Sequence, residues 1–244
     1  MSATPLLIVV PARGGSKRLA KKNVRPLAGR SLIAWTAEAI AESGLDAPVL
    51  LTTDDDAIAA EGERAGMRVP FRRPADIAGD TAPTIDAVLH ALDWFRSEHE
   101  GEPDTVMVLQ PTSPLRGSTI LRTAVARLAE RSDIDSVVAM SEVGLPANHI
   151  YFADTNGHAE AISDDRRHPV YMPNGALYLA RTERVRAERT LYAGNVLPLL
   201  LDPARAIDID TEEDWRLAEA VLAAGGLAPT GSHEVEPSQL DTQR

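Results

Sequence analysis

Cysteine is absent from the 244-residue chain. No disulfide framework, thiolate metal site or cysteine nucleophile can exist in it. Aromatic residues are scarce at 4%, whereas 44% of the residues are hydrophobic and 25% charged, an ordinary globular balance. The length suits one large domain, or a domain with a small lobe, and is enough for a sizeable core. Long apolar runs are missing. The opening MSATPLLIVVPARGG holds about six apolar residues in a row without a basic flank, too short for a spanning helix and wrong for a signal peptide. It reads as a buried first strand, and the expectation is a cytoplasmic protein without membrane contact. Positive charge is short as well. The net charge is −11, which excludes general nucleic-acid binding because such a protein needs a basic face. Lysine occurs only at Lys17, Lys21 and Lys22. Ammonium groups confined to one loop point to phosphate binding there, with a solvated basic turn as the bland alternative.

Strand and helix signals alternate, which predicts an α/β fold. The sequence patterns place strands at Leu6–Val10, Val49–Thr53, Thr105–Leu109, Ser136–Met140, Ala176–Ala180 and Ala206–Ile209. Ser31 caps a helix that ends at Gly44, and helical patterns recur at 84–97 and 118–131. A further acidic helix start lies at Asp54-Asp55-Asp56, and Thr211 to Asp214 forms a capping-box pattern for the last helix, which Gly225-Gly226 stops. Residues 141–175 are irregular, with strand-like pieces such as His149–Phe152, and read as an insertion or small lobe. The polar, proline-bearing stretch 227–244 reads as a disordered tail, leaving 1–226 as the folded unit.

Four segments carry chemistry. Pro11-Ala12-Arg13-Gly14-Gly15-Ser16-Lys17-Arg18 follows the first strand. Its glycines allow a sharp turn that gathers N–H groups, Arg13 and Lys17 add fixed positive charge, and Lys21 and Lys22 follow from the far side of the loop. A triphosphate, with about four negative charges, needs such a cradle. The spacing is neither that of a Walker loop nor of a dinucleotide fingerprint. Ile207-Asp208-Ile209-Asp210 places two carboxylates on one strand face, roughly 6.5–7 Å apart, where they can share a magnesium ion with phosphate oxygens. A strand-end acid and a helix N-terminal acid are the alternatives. Gln110-Pro111-Thr112-Ser113-Pro114 is a loop pinned by prolines, with Gln110, Thr112 and Ser113 free to hydrogen-bond a ligand and a rigid turn without function as the alternative. Asn174-Gly175 reads as a hairpin turn or a site residue. The histidines show no metal spacing, and no nucleophile elbow or triad pattern is present.

Taken in order, PARGGSKRLAKKNVRPLAGRSLIAWTAEAI, LLTTDDDAIA, FRRPADIAGDTAPTIDAVLHAL, LQPTSPLR, PNGALY and IDIDTEED resemble blocks of the sialic-acid-type (acylneuraminate) cytidylyltransferases. Those enzymes make CMP-N-acetylneuraminate and its relatives, and the resemblance spans about residues 5–222. It implies a single Rossmann-like, mostly parallel sheet flanked by helices, of nucleotidyltransferase type, with residues 141–175 reaching toward a partner in a homodimer. It implies CTP as a substrate, held by Arg13 and Lys22 with Lys17 nearby and Gly14, Gly15 and Ser16 in the loop. Pro11, Ala12, Arg73, Ala82 and Thr84 would shape the cytosine and ribose pocket. Gln110 would face a 2-keto sugar acid, Asn174 would lie at the active site, and Asp208 and Asp210 would hold Mg2+, with Mn2+ as a substitute. In this reading the catalytic set is Arg13, Lys22, Gln110, Asp208 and Asp210.

The sequence departs from the family where Ala20 replaces proline and Met172 replaces an arginine, and where SEVGLPANHIYFAD differs from the sialate form. Arg166 or Arg167 is the candidate to bind the acid's carboxylate. The nucleotide half keeps the pattern, while the acceptor half is altered, which leaves N-acetylneuraminate, legionaminate, pseudaminate, a deaminated nonulosonate, an octulosonate or a specialised-metabolite acid open as acceptor. Two other classes compete. Asp208-Ile209-Asp210 mimics the D-x-D of glycosyltransferases, but that motif follows a mid-chain strand, where this chain has Gln110-Pro111-Thr112. An inactive nucleotide binder would not be expected to retain Arg13, Lys22, Asp208 and Asp210.

Overall fold

The computed structural model describes residues 6–164 and 168–225. Arg166, Arg167 and the 227–244 stretch lie outside them. In chain order the strands are β1 (Leu6–Pro11), β2 (Pro26–Leu27), β3 (Arg30–Ser31), β4 (Val49–Thr52), β5 (Thr105–Val108), β6 (Ser136–Glu142), β7 (Tyr151–Ala153), β8 (Ala159–Ala161), β9 (Tyr171–Arg181) and β10 (Val196–Leu200). The helices are α1 (Leu32–Ser43), α2 (Asp56–Arg64), α3 (Thr84–Glu98), α4 (Thr119–Glu130), α5 (Thr182–Glu188) and α6 (Glu212–Ala223).

Six strands form the central sheet in the order β10-β6-β9-β5-β1-β4. β1 runs parallel to both β4 and β5, and β6 runs parallel to β10. Within this sheet β9 is the reversed strand, pairing antiparallel with β5 and β6. Leu6 to Val10 are all buried, as expected of a parallel strand covered on both faces. One face packs against α1, α2 and α4 through Ile33, Ile40, Ile58, Leu121 and Leu128, and the other against α3 and α5 through Val88, Leu92, Phe95 and Val185. The fold is thus the expected α/β one, a single mostly parallel sheet flanked by helices. Because chain order departs from β1 in both directions, β1 sits at the switch point where such sheets open a crevice beyond their carboxyl ends.

Local chemistry sets the helix limits. The Ser31 side chain accepts from Ala34 N at 3.0 Å, and Gly44 closes α1 in the left-handed region at φ 66°. Thr211 and Asp214 form a complete capping box on α6.

Four expectations change. Residues 206–210 join no ladder. They still alternate like a strand because Ile207 and Ile209 bury in a small cluster with Leu19, Leu27, Leu32, Leu115 and Trp215. Asn174-Gly175 is no hairpin turn but part of β9, where Gly175 at φ 80° accompanies a register shift against β6. β9 and the end of β6 also claim both ends of the segment expected to be irregular. Its protruding part is a two-stranded hairpin, β7–β8, which begins at Tyr151 because His149 closes a 3-10 turn. α5 and β10 had no counterpart in the sequence patterns.

Candidate active site

The carboxyl ends of β1 and β5, the segment before α3 and the 208–210 segment enclose a cleft of about 580 Å³. Of the residues singled out from sequence, Pro11, Ala12, Arg13, Ser16, Lys17, Lys22, Arg73, Ala82, Thr84, Gln110, Asp208 and Asp210 line it. Gly14, Gly15 and Asn174 do not.

Gly14 and Gly15 play a different part from the expected nest. Neither has a positive φ, and Gly14 N donates to Asp54 Oδ1 at 3.0 Å. Gly14 is needed for close packing, since a Cβ there would lie 2.8 Å from Asp55 Cβ. Side chains rather than N–H groups therefore supply most of the loop's positive face. The loop is seated by Leu19, buried in the same small cluster as Ile207 and Ile209. That shared packing brings Lys22 to the acidic segment, with Ile209 187 positions away along the chain. Lys22 Nζ donates to Asp210 Oδ1 at 2.7 Å and to Ile209 O at 2.9 Å, and Arg18 donates to the other oxygen of Asp210.

Asp208 is exposed toward the cleft. The surrounding walls still strip it of bulk water, and this raises its carboxyl above the ordinary range. A hydrogen bond from Thr112 opposes the rise, and the Asp210 carboxylate adds to it. Asp210 is fixed through its backbone: its N–H donates to Asp214 Oδ2 at 3.0 Å, the oxygen that also completes the α6 capping box.

On the opposite wall the Arg73 guanidinium is anchored to the end of β4, donating to Thr52 O, and its pKa is lowered by burial. The N-terminus of α3 opens beside it without a side-chain cap. Gln110 stands on the floor. Asn174 lies behind it, with its amide donating to Ser141 Oγ at 3.1 Å and its Oδ1 accepting from Ala176 N at 3.2 Å. Those bonds hold the bulge in β9, so Asn174 shapes the floor from beneath.

Several contributors were not singled out from sequence. Asp80 accepts from Arg13 and Lys17 across the cleft. Asn23 donates to Arg13 O at 3.1 Å. Arg116, only 1% exposed, donates to the Gln110 carbonyl from below. Its burial lowers its pKa, with Asp208 pulling the other way. The LQPTSPLR block carried a signal for Arg116, as a cation ending a proline-pinned loop.

Known proteins resemble this chain in sequence and in fold. The sequence model of the family described as Cytidylyltransferase matches residues 7–189. The chain is 35% identical over 225 residues to CMP-N,N'-diacetyllegionaminic acid synthase of Legionella pneumophila, covering 89% of this chain and 96% of that protein. It is 27% identical over 221 residues to pseudaminic acid cytidylyltransferase of Campylobacter jejuni, covering 87% and 94%. Against N-acylneuraminate cytidylyltransferase of Escherichia coli the identity is 29% over 221 residues, covering 88% of this chain and 51% of that protein. This chain therefore spans about half the length of that relative. Among solved structures, CMP:2-keto-3-deoxy-manno-octonic acid synthetase complexed with CTP superposes with a TM-score of 0.64 at 17% identity, covering 90% of this chain and 99% of that one. The 4-diphosphocytidyl-2C-methyl-D-erythritol synthase of Anaerococcus prevotii gives 0.64 at 13%, covering 89% and 98%. These two similarities establish the fold.

Proposed function

The chain belongs to the cytidylyltransferase family, and from that premise we propose that it transfers CMP from CTP to a nonulosonic acid of the legionaminate, pseudaminate and sialate group. The observation that carries the reading is the gathering of a basic loop (Arg13, Lys17, Lys22) and a carboxylate pair (Asp208, Asp210) in one cleft, in a chain 35% identical to a CMP-N,N'-diacetyllegionaminic acid synthase.

The anomeric hydroxyl of the 2-keto acid attacks the α-phosphorus of CTP. The new P–O bond forms as the α–β bridging P–O bond breaks, pyrophosphate leaves with the bonding pair, and the hydroxyl proton passes to solvent. Arg13, Lys17 and Lys22 take up phosphate oxygens and the charge that develops on them. Pro11, Ala12, Arg73, Ala82 and Thr84 hold the nucleoside, and Gln110 orients the acid, with Arg166 offered to its carboxylate. No covalent enzyme intermediate is required.

The residues present suit magnesium, with manganese as a substitute. Two all-oxygen donors suit a hard cation, and Asp208, short of water beside Asp210, is relieved by one. Among the described residues no group of three or more His, Cys, Asp and Glu could hold a metal ion, so phosphate oxygens and water would complete the shell. Bound magnesium would withdraw charge from the phosphates. The enzyme is read as acting in the cytoplasm, where CTP is available; among the described residues no helix is long and apolar enough to cross a membrane. A homodimer is supported by the exposed Leu145, Tyr151, Phe152, Ile162 and Met172 around the β7–β8 hairpin.

The test is pyrophosphate release with magnesium and CTP against N,N'-diacetyllegionaminate, pseudaminate, N-acetylneuraminate, its deaminated form and octulosonate. Release requiring CTP and a nonulosonate supports the reading, and the preferred acid names the acceptor. Release only with octulosonate, or none with any acid, overturns it. Asp208→Ala is expected to cut the rate by roughly a hundredfold or more, and a near-normal rate would remove Asp208 from the metal site.

A further inference from the structure

Each cation of the basic loop that faces the cleft is held by a carboxylate of the same chain. Arg18 and Lys22 meet Asp210, a member of the proposed metal pair. Arg13 and Lys17 meet Asp80, which has no part in the reaction described above. Asp80 Oδ1 lies 2.8 Å from Arg13 Nη1, and Oδ2 pairs with Lys17 Nζ. Asp80 comes from the opposite wall, the segment leading into α3, so the two ion pairs bridge the cleft beside the phosphate loop.

Arg13 and Asp80 are each 38% exposed and Lys17 82%, so nothing steric protects these pairs from exchange. The Asp80 carboxyl is held below its ordinary range, first by Lys17, so the group is ionised whenever CTP is. Arg13 and Lys17 cannot serve Asp80 and a triphosphate fully at once. A ligand that takes them must replace two charge-assisted contacts, which a monoanion cannot do, while a triphosphate brings about four charges.

We propose that Asp80 is an internal competitor for the phosphate cradle, holding Arg13 and Lys17 until the β- and γ-phosphates of CTP displace it and taking them back as pyrophosphate leaves. Asp80 is thereby a specificity residue: it sets how many phosphates a ligand needs in order to enter, and it speeds release of the leaving group. This role rests on the reading of the cleft as a CTP site.

Calorimetric titration of the full chain with inorganic pyrophosphate, with CTP and with cytidine, magnesium present, tests it without any acceptor acid. Asp80→Asn keeps the shape and removes the charge. The expectation is that pyrophosphate and CTP bind roughly three- to thirtyfold tighter than to wild type, the range for losing two exposed ion pairs, while cytidine binds equally. Pyrophosphate should also become a stronger product inhibitor in turnover. Unchanged or weaker pyrophosphate binding overturns the proposal, and weaker binding makes Asp80 a prop that orients Arg13 and Lys17. Asp80→Ala guards against an asparagine that keeps both hydrogen bonds, and both variants must fail to bind tighter for the idea to fall. Failure of wild type and variants alike to bind pyrophosphate or CTP would overturn the phosphate assignment and the role of Asp80 with it.

Discussion

A Cβ added to Gly175 would lie 2.6 Å from Gln110 Oε1 and 3.2 Å from Ser113 Oγ, at a φ of +80° that L side chains rarely adopt. Gly175→Ala is therefore expected to push the Gln110 carboxamide off the cleft floor. Displacements of about 1 Å cost up to roughly a hundredfold in rate, so kcat/KM for the acid should fall about tenfold or more. CTP binding, proposed for the other wall, should move less than about twofold, well under about 1 kcal/mol. Equal losses for both substrates in steady-state kinetics would instead mean that the whole cleft had shifted. At this scale the sequence was legible where a side chain's chemistry is local: a basic loop, an acidic pair and a glutamine on a proline-pinned turn. Asp80 was not legible, because a lone acid acquires meaning only when the fold sets it opposite cations such as Arg13, 67 positions away. Arg116 carried a signal as the cation ending a proline-pinned loop, but its place beneath the floor was not legible. Its guanidinium is buried with Nε unpartnered among the described residues, an arrangement that surface-based expectations for arginine do not anticipate.

The last helix links stability to the site. Thr211 Oγ1 accepts from Asp214 N at 3.2 Å, while Asp214 Oδ2 accepts from Thr211 N at 2.8 Å and from Asp210 N at 3.0 Å. Thr211→Ala removes one arm of the cap and leaves Asp210 anchored; it should cost about 1 kcal/mol in unfolding free energy with little loss of turnover. Asp214→Ala should cost a similar amount and also slow turnover, since the Asp210 backbone loses its acceptor. Denaturant melts paired with rate measurements separate the two, and equal rates in both variants would show that the cap does not position Asp210. The capping box was readable from sequence because its residues are three apart. β10 was not: Pro198 speaks against a strand, but β10 lies at the sheet edge, where proline is tolerated. α5, at seven residues, is too short to show a helical period. The 206–210 segment imitates a strand because burial alone imposes the alternation, without a neighbouring backbone to pair with.

At the scale of the molecule, the β7–β8 hairpin stands out with Tyr151 60%, Phe152 51% and Ile162 60% exposed. Phe152→Asp is expected to convert the proposed dimer to a monomer in light scattering, and a wild-type monomer would remove the dimer from the account. The sheet divides where β5 pairs with the reversed β9 through Thr105–Val108 and Tyr178–Arg181. To one side, β1, β4 and β5 lead into the proposed nucleotide wall and Gln110; to the other, β9 supports the floor from beneath through Asn174 and, with β6, flanks the β7–β8 hairpin. Such a seam makes the two halves separable in evolutionary terms. On the proposed reading, mutations that retune the hairpin and the Asn174-Gly175 bulge for a new acid leave the β1–β4 and β1–β5 ladders untouched, so the half proposed to take CTP can be inherited intact while the acceptor changes.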